Sequence, residues 1–116
     1  MDIDSITSEK IQELQHLEQN LQNFLMQKQT IQIELNESSN ALSEVKKSTQ
    51  GVYKIIGGIM LIADKTSLIK ELEEKNKISD LRISSIEKQE KLLEEKAEKL
   101  KSEINLSIEK KKNQKS

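Results

Sequence analysis

The sequence has no cysteine, no proline and no tryptophan, and only one tyrosine, one phenylalanine and one histidine. Each absence removes a class of protein. Without cysteine there is neither a disulfide framework nor a thiolate metal site, and the redox compartment stays open. Aromatics at 2% leave too little bulk for a globular core, and without proline nothing interrupts a long helix. The lone histidine, His16, lies between Leu14 and Leu17 on a helical stretch, where a solvated surface position outweighs a base or ligand. Glycine is scarce as well. Gly51, Gly57 and Gly58 form no Gly-x-x-x-x-Gly-Lys-Ser/Thr phosphate loop, so no nucleotide seat is evident. The central apolar run, Ile55 to Ala63, is nine residues long, far below the ~20 that cross a bilayer. Met1-Asp2-Ile3-Asp4 carries no basic n-region and no apolar h-region, so no signal peptide is expected, and a soluble cytoplasmic protein without membrane contact is.

What is abundant is charge, at 34% of residues, with 19 basic against 20 acidic side chains and a net charge of −1. Low hydrophobicity with many charges also marks disordered chains. Here the charges balance and the apolar residues are periodic. From Leu14 they fall on alternating steps of three and four: Leu14, Leu17, Leu21, Phe24, Ile31, Leu35, Leu42 and Val45, with Lys28 and Ser38 in the two remaining places. That is a sustained heptad seam. A helix over 5–47, capped by Asp4 or Ser5, is predicted, a rod on the order of 65 Å. Lys46 and Lys47 suit its negative pole, and Ser48-Thr49-Gln50-Gly51 breaks it. A second seam reads Ile69, Leu72, Asn76, Ser79, Ile83, Ile86, Glu90, Leu93, Ala97, Leu100, Ile104 and Ser107. It predicts a helix over 65–110, capped by Asp64 or Thr66. The two helices, matched in length, are expected to return antiparallel and bury seam against seam within the chain, with partner helices of a homo-oligomer as the alternative; the polar seam residues Lys28, Asn76 and Glu90 either fix register or sit in a solvated, splayed segment.

Between the helices, residues 52–63 read as a β-hairpin. Gly57-Gly58 supplies the positive φ angles of a two-residue turn, and β-branched runs flank it. Ile56 then faces Ile59 and Lys54 faces Leu61 on one side of the ribbon, while Ile55 faces Met60 and Tyr53 faces Ile62 on the other. Both faces are apolar. A two-stranded hairpin is marginal in water, so one with two apolar faces and two open edges should find more strands. Val52, Tyr53, Ile55, Ile56, Gly57, Gly58, Ile59, Met60, Leu61 and Ile62 are therefore the candidate oligomerisation element.

No catalytic constellation emerges. The many carboxylates sit at coiled-coil flanks, where salt bridging and solubility explain them. Tyr53 reads as a half-buried strand tyrosine with a wet tip. The basic tail from Lys110 to Lys115 lacks an aromatic platform and the whole chain is near neutral, which argues against nucleic-acid binding. No enzyme, no cofactor and no metal site are expected.

The order of a helix, Val52-Tyr53-Lys54-Ile-Ile-Gly57, an aliphatic strand Ile59 to Ala63, Asp64-Lys65 and Leu68-Ile-Lys-Glu-Leu72 resembles the β class of prefoldin subunits, archaeal in its small size. Gln27-Lys28-Gln29 fits the same pattern. The similarity covers nearly the whole chain, and residues 50–72 are its specific part. One hairpin rather than two is similar to the β class and not the α class. The resemblance implies a mostly α fold, a long antiparallel two-helix coiled coil whose central β-hairpin assembles into an oligomeric β-barrel platform. It further implies a hexamer of two α and four β subunits that holds unfolded or nascent proteins without ATP, prevents aggregation and passes them to a group II chaperonin. Client contacts are expected near the free ends, where Ile3, Ile6 and Ile11, and Leu106 and Ile108, lie off the two seams. A structural spacer or tether is the alternative reading, for which the hairpin has no use; a membrane-dipping loop lacks the Trp, Phe or basic collar it needs.

Overall fold

The computed structural model describes residues 4–114, in the order α1 (Ser5–Lys47), β1 (Val52–Ile56), β2 (Ile59–Ala63) and α2 (Lys65–Gln114). Both helices begin on an aspartate. Asp4 Oδ1 accepts the Thr7 N–H at 2.7 Å and its carbonyl accepts the Ser8 N–H at 3.0 Å. Asp64 Oδ2 accepts the Ser67 N–H at 3.0 Å and the Ser67 hydroxyl at 2.8 Å, while its carbonyl accepts the Leu68 N–H at 2.9 Å. Otherwise orphaned helix donors are thus satisfied. Because the backbone N–H of Thr7 or Ser67 favours the charged carboxylate, both aspartates are held below their ordinary value.

The helix ends follow the same electrostatics. α1 closes on Lys46 and Lys47, and the Ser48 N–H bonds back to the Glu44 carbonyl at 3.1 Å. α2 runs on to Gln114, past the expected end at Lys110. Lys111 and Lys112 place positive charge at its negative pole, so the basic run prolongs the helix instead of ending it.

Packing divides the chain into two compact units, one formed by the chain up to Gln27 and from Ile86 onward, the other by Lys28–Ser85. In the first, Leu17, Ala97 and Leu100 are buried together, with Leu14 and Leu93 packed against them. Lys10 Nζ reaches Glu103 at 3.4 Å on the flank. The seam continues on the N-terminal side of Leu14, where Thr7 is buried and Lys10 half-buried on the same three-four steps, and Ile104 is buried on α2. A threonine and a lysine stem serve as seam residues here, which an apolar-only count misses.

In the second unit Ile31 is the most completely buried side chain of the seam, at 2% exposure. Polar residues take the next places. Ser38 Oγ donates to Asn76 Oδ1 at 2.5 Å, and Asn76 Nδ2 donates to Ser39 Oγ at 3.3 Å. Asn76 is therefore bridged to the opposite helix and not left in a splayed gap. Lys46 pairs with Glu73 at 3.6 Å outside this seam. Every predicted seam position, Leu14 to Val45 on α1 and Ile69 to Ser107 on α2, is buried or half-buried.

Two outcomes check this packing. Ile31→Ala should destabilise the chain by about 2 to 5 kcal/mol in denaturant unfolding, as deletion from a closed apolar site does; a loss under about 0.5 kcal/mol would mean that the seam is not closed there. Asp64→Asn keeps a capping oxygen but removes its charge. Because the folded carboxyl titrates below its ordinary value, its stabilisation is present above about pH 4 and disappears as pH falls through the lowered folded value. Wild type should melt above Asp64→Asn at neutral pH, and the gap should close in acid; a gap that widens in acid would contradict the cap.

Candidate functional site

In the hairpin, seven neighbouring strand residues, Tyr53, Ile55, Ile56, Ile59, Met60, Leu61 and Ile62, leave their apolar side chains exposed together. Its antiparallel register pairs Val52 with Ala63, Tyr53 with Ile62, Lys54 with Leu61, Ile55 with Met60 and Ile56 with Ile59. Gly57 and Gly58 turn the chain with φ of 56° and 78°, the left-handed pair that a type I′ turn demands at both central positions. The closing pair in such a turn is hydrogen-bonded, and pairs alternate from there. Tyr53, Ile55, Met60 and Ile62 consequently aim their backbone N–H and C=O groups at the two outer edges. In this two-stranded sheet both edges are unpaired.

The two faces differ in cover. On the Val52, Lys54, Ile56 side, Val52 is buried and Lys54 and Ala63 are half-buried. On the other side Tyr53, Ile55, Met60 and Ile62 are 57%, 71%, 65% and 85% exposed. Ile56, Ile59 and Leu61 near the turn are also exposed. Two lysines tie the ribbon down. Lys54 Nζ donates to both oxygens of Glu71, at 2.9 and 2.8 Å, and Lys65 Nζ donates to the Ser48 carbonyl at 2.7 Å, just beyond the end of α1. Neither tie is visible in the heptad or hairpin pattern; the signal for the first is Lys54 itself, the only charge within the strands.

The other expected contact residues are more scattered. Ile6 and Leu106 are exposed at 65% and 61%, Ile11 and Ile108 are half-buried, and Ile3 lies outside the described residues. Sequence reasoning confined its search to the chain ends and so passed over exposed apolar residues on the outer helix faces: Leu25, Met26, Ile33, Ile78, Leu81 and Leu92. Listing apolar residues off the seam along the full helices would have found them. Among the described residues no helix is long and apolar enough to cross a membrane, and no group of three or more metal-donor side chains is gathered.

The turn supplies its own test. Nothing lies within 4 Å of a Cβ placed on Gly58, so the cost of a side chain there is the left-handed backbone alone, about 1 to 2 kcal/mol. Gly58→Val should lower the hairpin's stability by at least that amount, while Gly58→Asn, which tolerates this conformation, should be close to neutral. Thermal melts of both variants with the wild type check it. Equal midpoints for Val and Asn would show that the turn adopts another shape.

A protein-family model described as prefoldin subunit matches residues 8–111. "Prefoldin subunit beta" from Thermococcus onnurineus is 36% identical over 98 residues, covering 83% of this chain and 84% of the relative. The protein of the same name from Methanospirillum hungatei is 36% identical over 102 residues, covering 86% and 85%. The crystal structure of the prefoldin beta subunit from Thermococcus strain KS-1 superimposes with a TM-score of 0.84 at 31% identity, over 91% of this chain and 95% of that one. The beta2 subunit from the same strain, at 20% identity and a TM-score of 0.66, shares the fold. Two seamed helices, one hairpin with an uncovered apolar face, and matches along nearly the whole length lead to one conclusion: the chain belongs to the prefoldin family of chaperone subunits, which form oligomers with one another, and its relatives are β subunits.

Proposed function

We propose that this prefoldin subunit works within a hexamer of two α and four β subunits whose hairpins close into a common β-barrel platform. The observation that carries the reading is the uncovered hairpin: Tyr53, Ile55, Met60 and Ile62 expose an uncharged surface while the helices of each unit satisfy their own seams. Exposed apolar surface with unpaired strand edges is a hazard unless another chain covers it. Neighbouring subunits do so here. The assembly holds unfolded or nascent proteins in the cytoplasm, keeps them from aggregating and passes them to a group II chaperonin.

Clients are gripped by aliphatic side chains near the two chain termini, Ile3, Ile6, Ile11, Leu106 and Ile108. Of these, Ile6 and Leu106 stand most free of their own helices among the described residues, which supports them as the first contacts. Burying one aliphatic side chain contributes ~1.5 to 3 kcal/mol, so a single subunit holds weakly and several on one platform gain avidity. Holding is a binding process and not catalysis, and it uses neither nucleotide nor metal.

Light scattering from a chemically unfolded protein tests this, with the assembled wild type and the variant Ile6→Ser, Leu106→Ser at equal concentration. The variant should suppress aggregation several-fold less well while its native mass is unchanged, and added ATP or a chelator should alter neither curve. Equal suppression by both proteins would overturn the assignment of the client surface.

A further inference from the structure

The hairpin can present either of its faces to a neighbouring subunit, and the side chains around Lys54 decide which. Lys54 is the only charged residue in the two strands, and it lies on the side that also carries Val52, Ile56, Ile59 and Leu61. Its ammonium is not directed into open solvent. It meets Glu71 of α2 in a two-pronged contact at 2.8 and 2.9 Å, with the lysine and glutamate side chains 37% and 56% exposed. Glu71 stands in the second turn of α2, seven residues after the cap at Asp64, so the contact anchors the hairpin to a rigid, capped helix. Lys65 gripping the Ser48 carbonyl at 2.7 Å ties the start of α2 to the chain leaving α1. Val52, on the same side as Lys54, is buried within the chain.

We propose that the Lys54–Glu71 ion pair is a positioning device that turns the Lys54 side of the hairpin toward α2 and thereby makes Tyr53, Ile55, Met60 and Ile62 the face that packs against hairpins of other prefoldin subunits. This rests on the hairpin-assembly reading above. The chemistry of the two faces supports it. The Tyr53 face has no charge, so it accepts an apolar partner without stranding an ion, whereas burying the other face would desolvate Lys54 against its partner carboxylate. The occupant is a hairpin of the same kind: it is the surface that can cover apolar side chains and at the same time bond to the outward N–H and C=O groups of Tyr53, Ile55, Met60 and Ile62.

Tyr53 is the only tyrosine in the sequence and is one of the four residues of the proposed face, so it serves as a chemical reporter. Tetranitromethane is applied to the chain alone and to its complex with partner prefoldin subunits, and nitration of the Tyr53 peptide is followed by mass spectrometry. In the complex the rate should fall at least tenfold. Glu71→Lys should weaken assembly by about fivefold in native mass titrations, in line with the modest worth of a surface ion pair, and Lys54→Glu with Glu71→Lys should restore it. An intact complex in which Tyr53 reacts as fast as in the free chain would overturn the face assignment while leaving hairpin assembly standing. A charge-swapped chain that assembles no better than Glu71→Lys would overturn the role of the ion pair. Failure of wild type to form any complex would instead remove the assembly reading itself, and this inference with it.

Discussion

Everything in this molecule depends on the helices having a seam of their own to close. Leu14, Leu17, Leu93, Ala97 and Leu100 in one unit, and Ile31 with the Ser38–Asn76 bridge in the other, consume the apolar periodicity of α1 and α2 within the chain. No aromatic core is needed, because aliphatic side chains at three-four spacing pack without one. With the seams satisfied internally, the exposed apolar side chains on the helices are spread along their outer faces, whereas in the hairpin Tyr53, Ile55, Ile56, Ile59, Met60, Leu61 and Ile62 are exposed side by side. That division is what the proposed assembly rests on: the helices bury their seams within the chain, and the hairpin keeps an exposed apolar face and two unpaired edges.

The polar details serve the same division. Asp4 and Asp64 start the helices at defined residues, and Asp64 does so immediately after β2, so the ribbon passes into α2 without slack. Lys54 and Lys65 then fasten the ribbon and the helix ends with charge-assisted bonds, the first exposed and the second partly buried. Inside the second unit, Asn76 gives up apolar contact but keeps both ends of its amide occupied by Ser38 and Ser39. A bridged amide of this kind favours one alignment of the two helices over its neighbours, since a shifted helix leaves the amide without partners.

Much of this was legible in the residues because two independent periodicities meet in one chain. Each residue on the three-four steps from Leu14 to Val45 and from Ile69 to Ser107 is buried or half-buried, and Gly57-Gly58 set the hairpin register down to the individual pairs. What escaped was carried by residue types that a hydrophobic pattern does not count. Thr7 and Lys10 extend the first seam through a methyl group and an aliphatic stem, and Lys111 and Lys112 prolong α2 through the helix dipole. Of the candidate site, the apolar hairpin was readable from Gly57-Gly58 and the β-branched runs on either side of it. The difference between its faces was not, because it depends on Lys54 meeting Glu71 seventeen residues later, a contact that exists only after folding.

Amide hydrogen exchange at Tyr53, Ile55, Met60 and Ile62, measured on the chain alone and in complex with partner prefoldin subunits, tests most directly whether neighbours complete the hairpin. These amides point away from the intrachain ladder, so in the free chain they should exchange nearly as fast as exposed loops, and in the complex they should slow by roughly a hundredfold or more. The seam amides around Ile31 and Leu100 should be protected in both. Exchange at the four hairpin amides that is the same with and without partners would contradict the account.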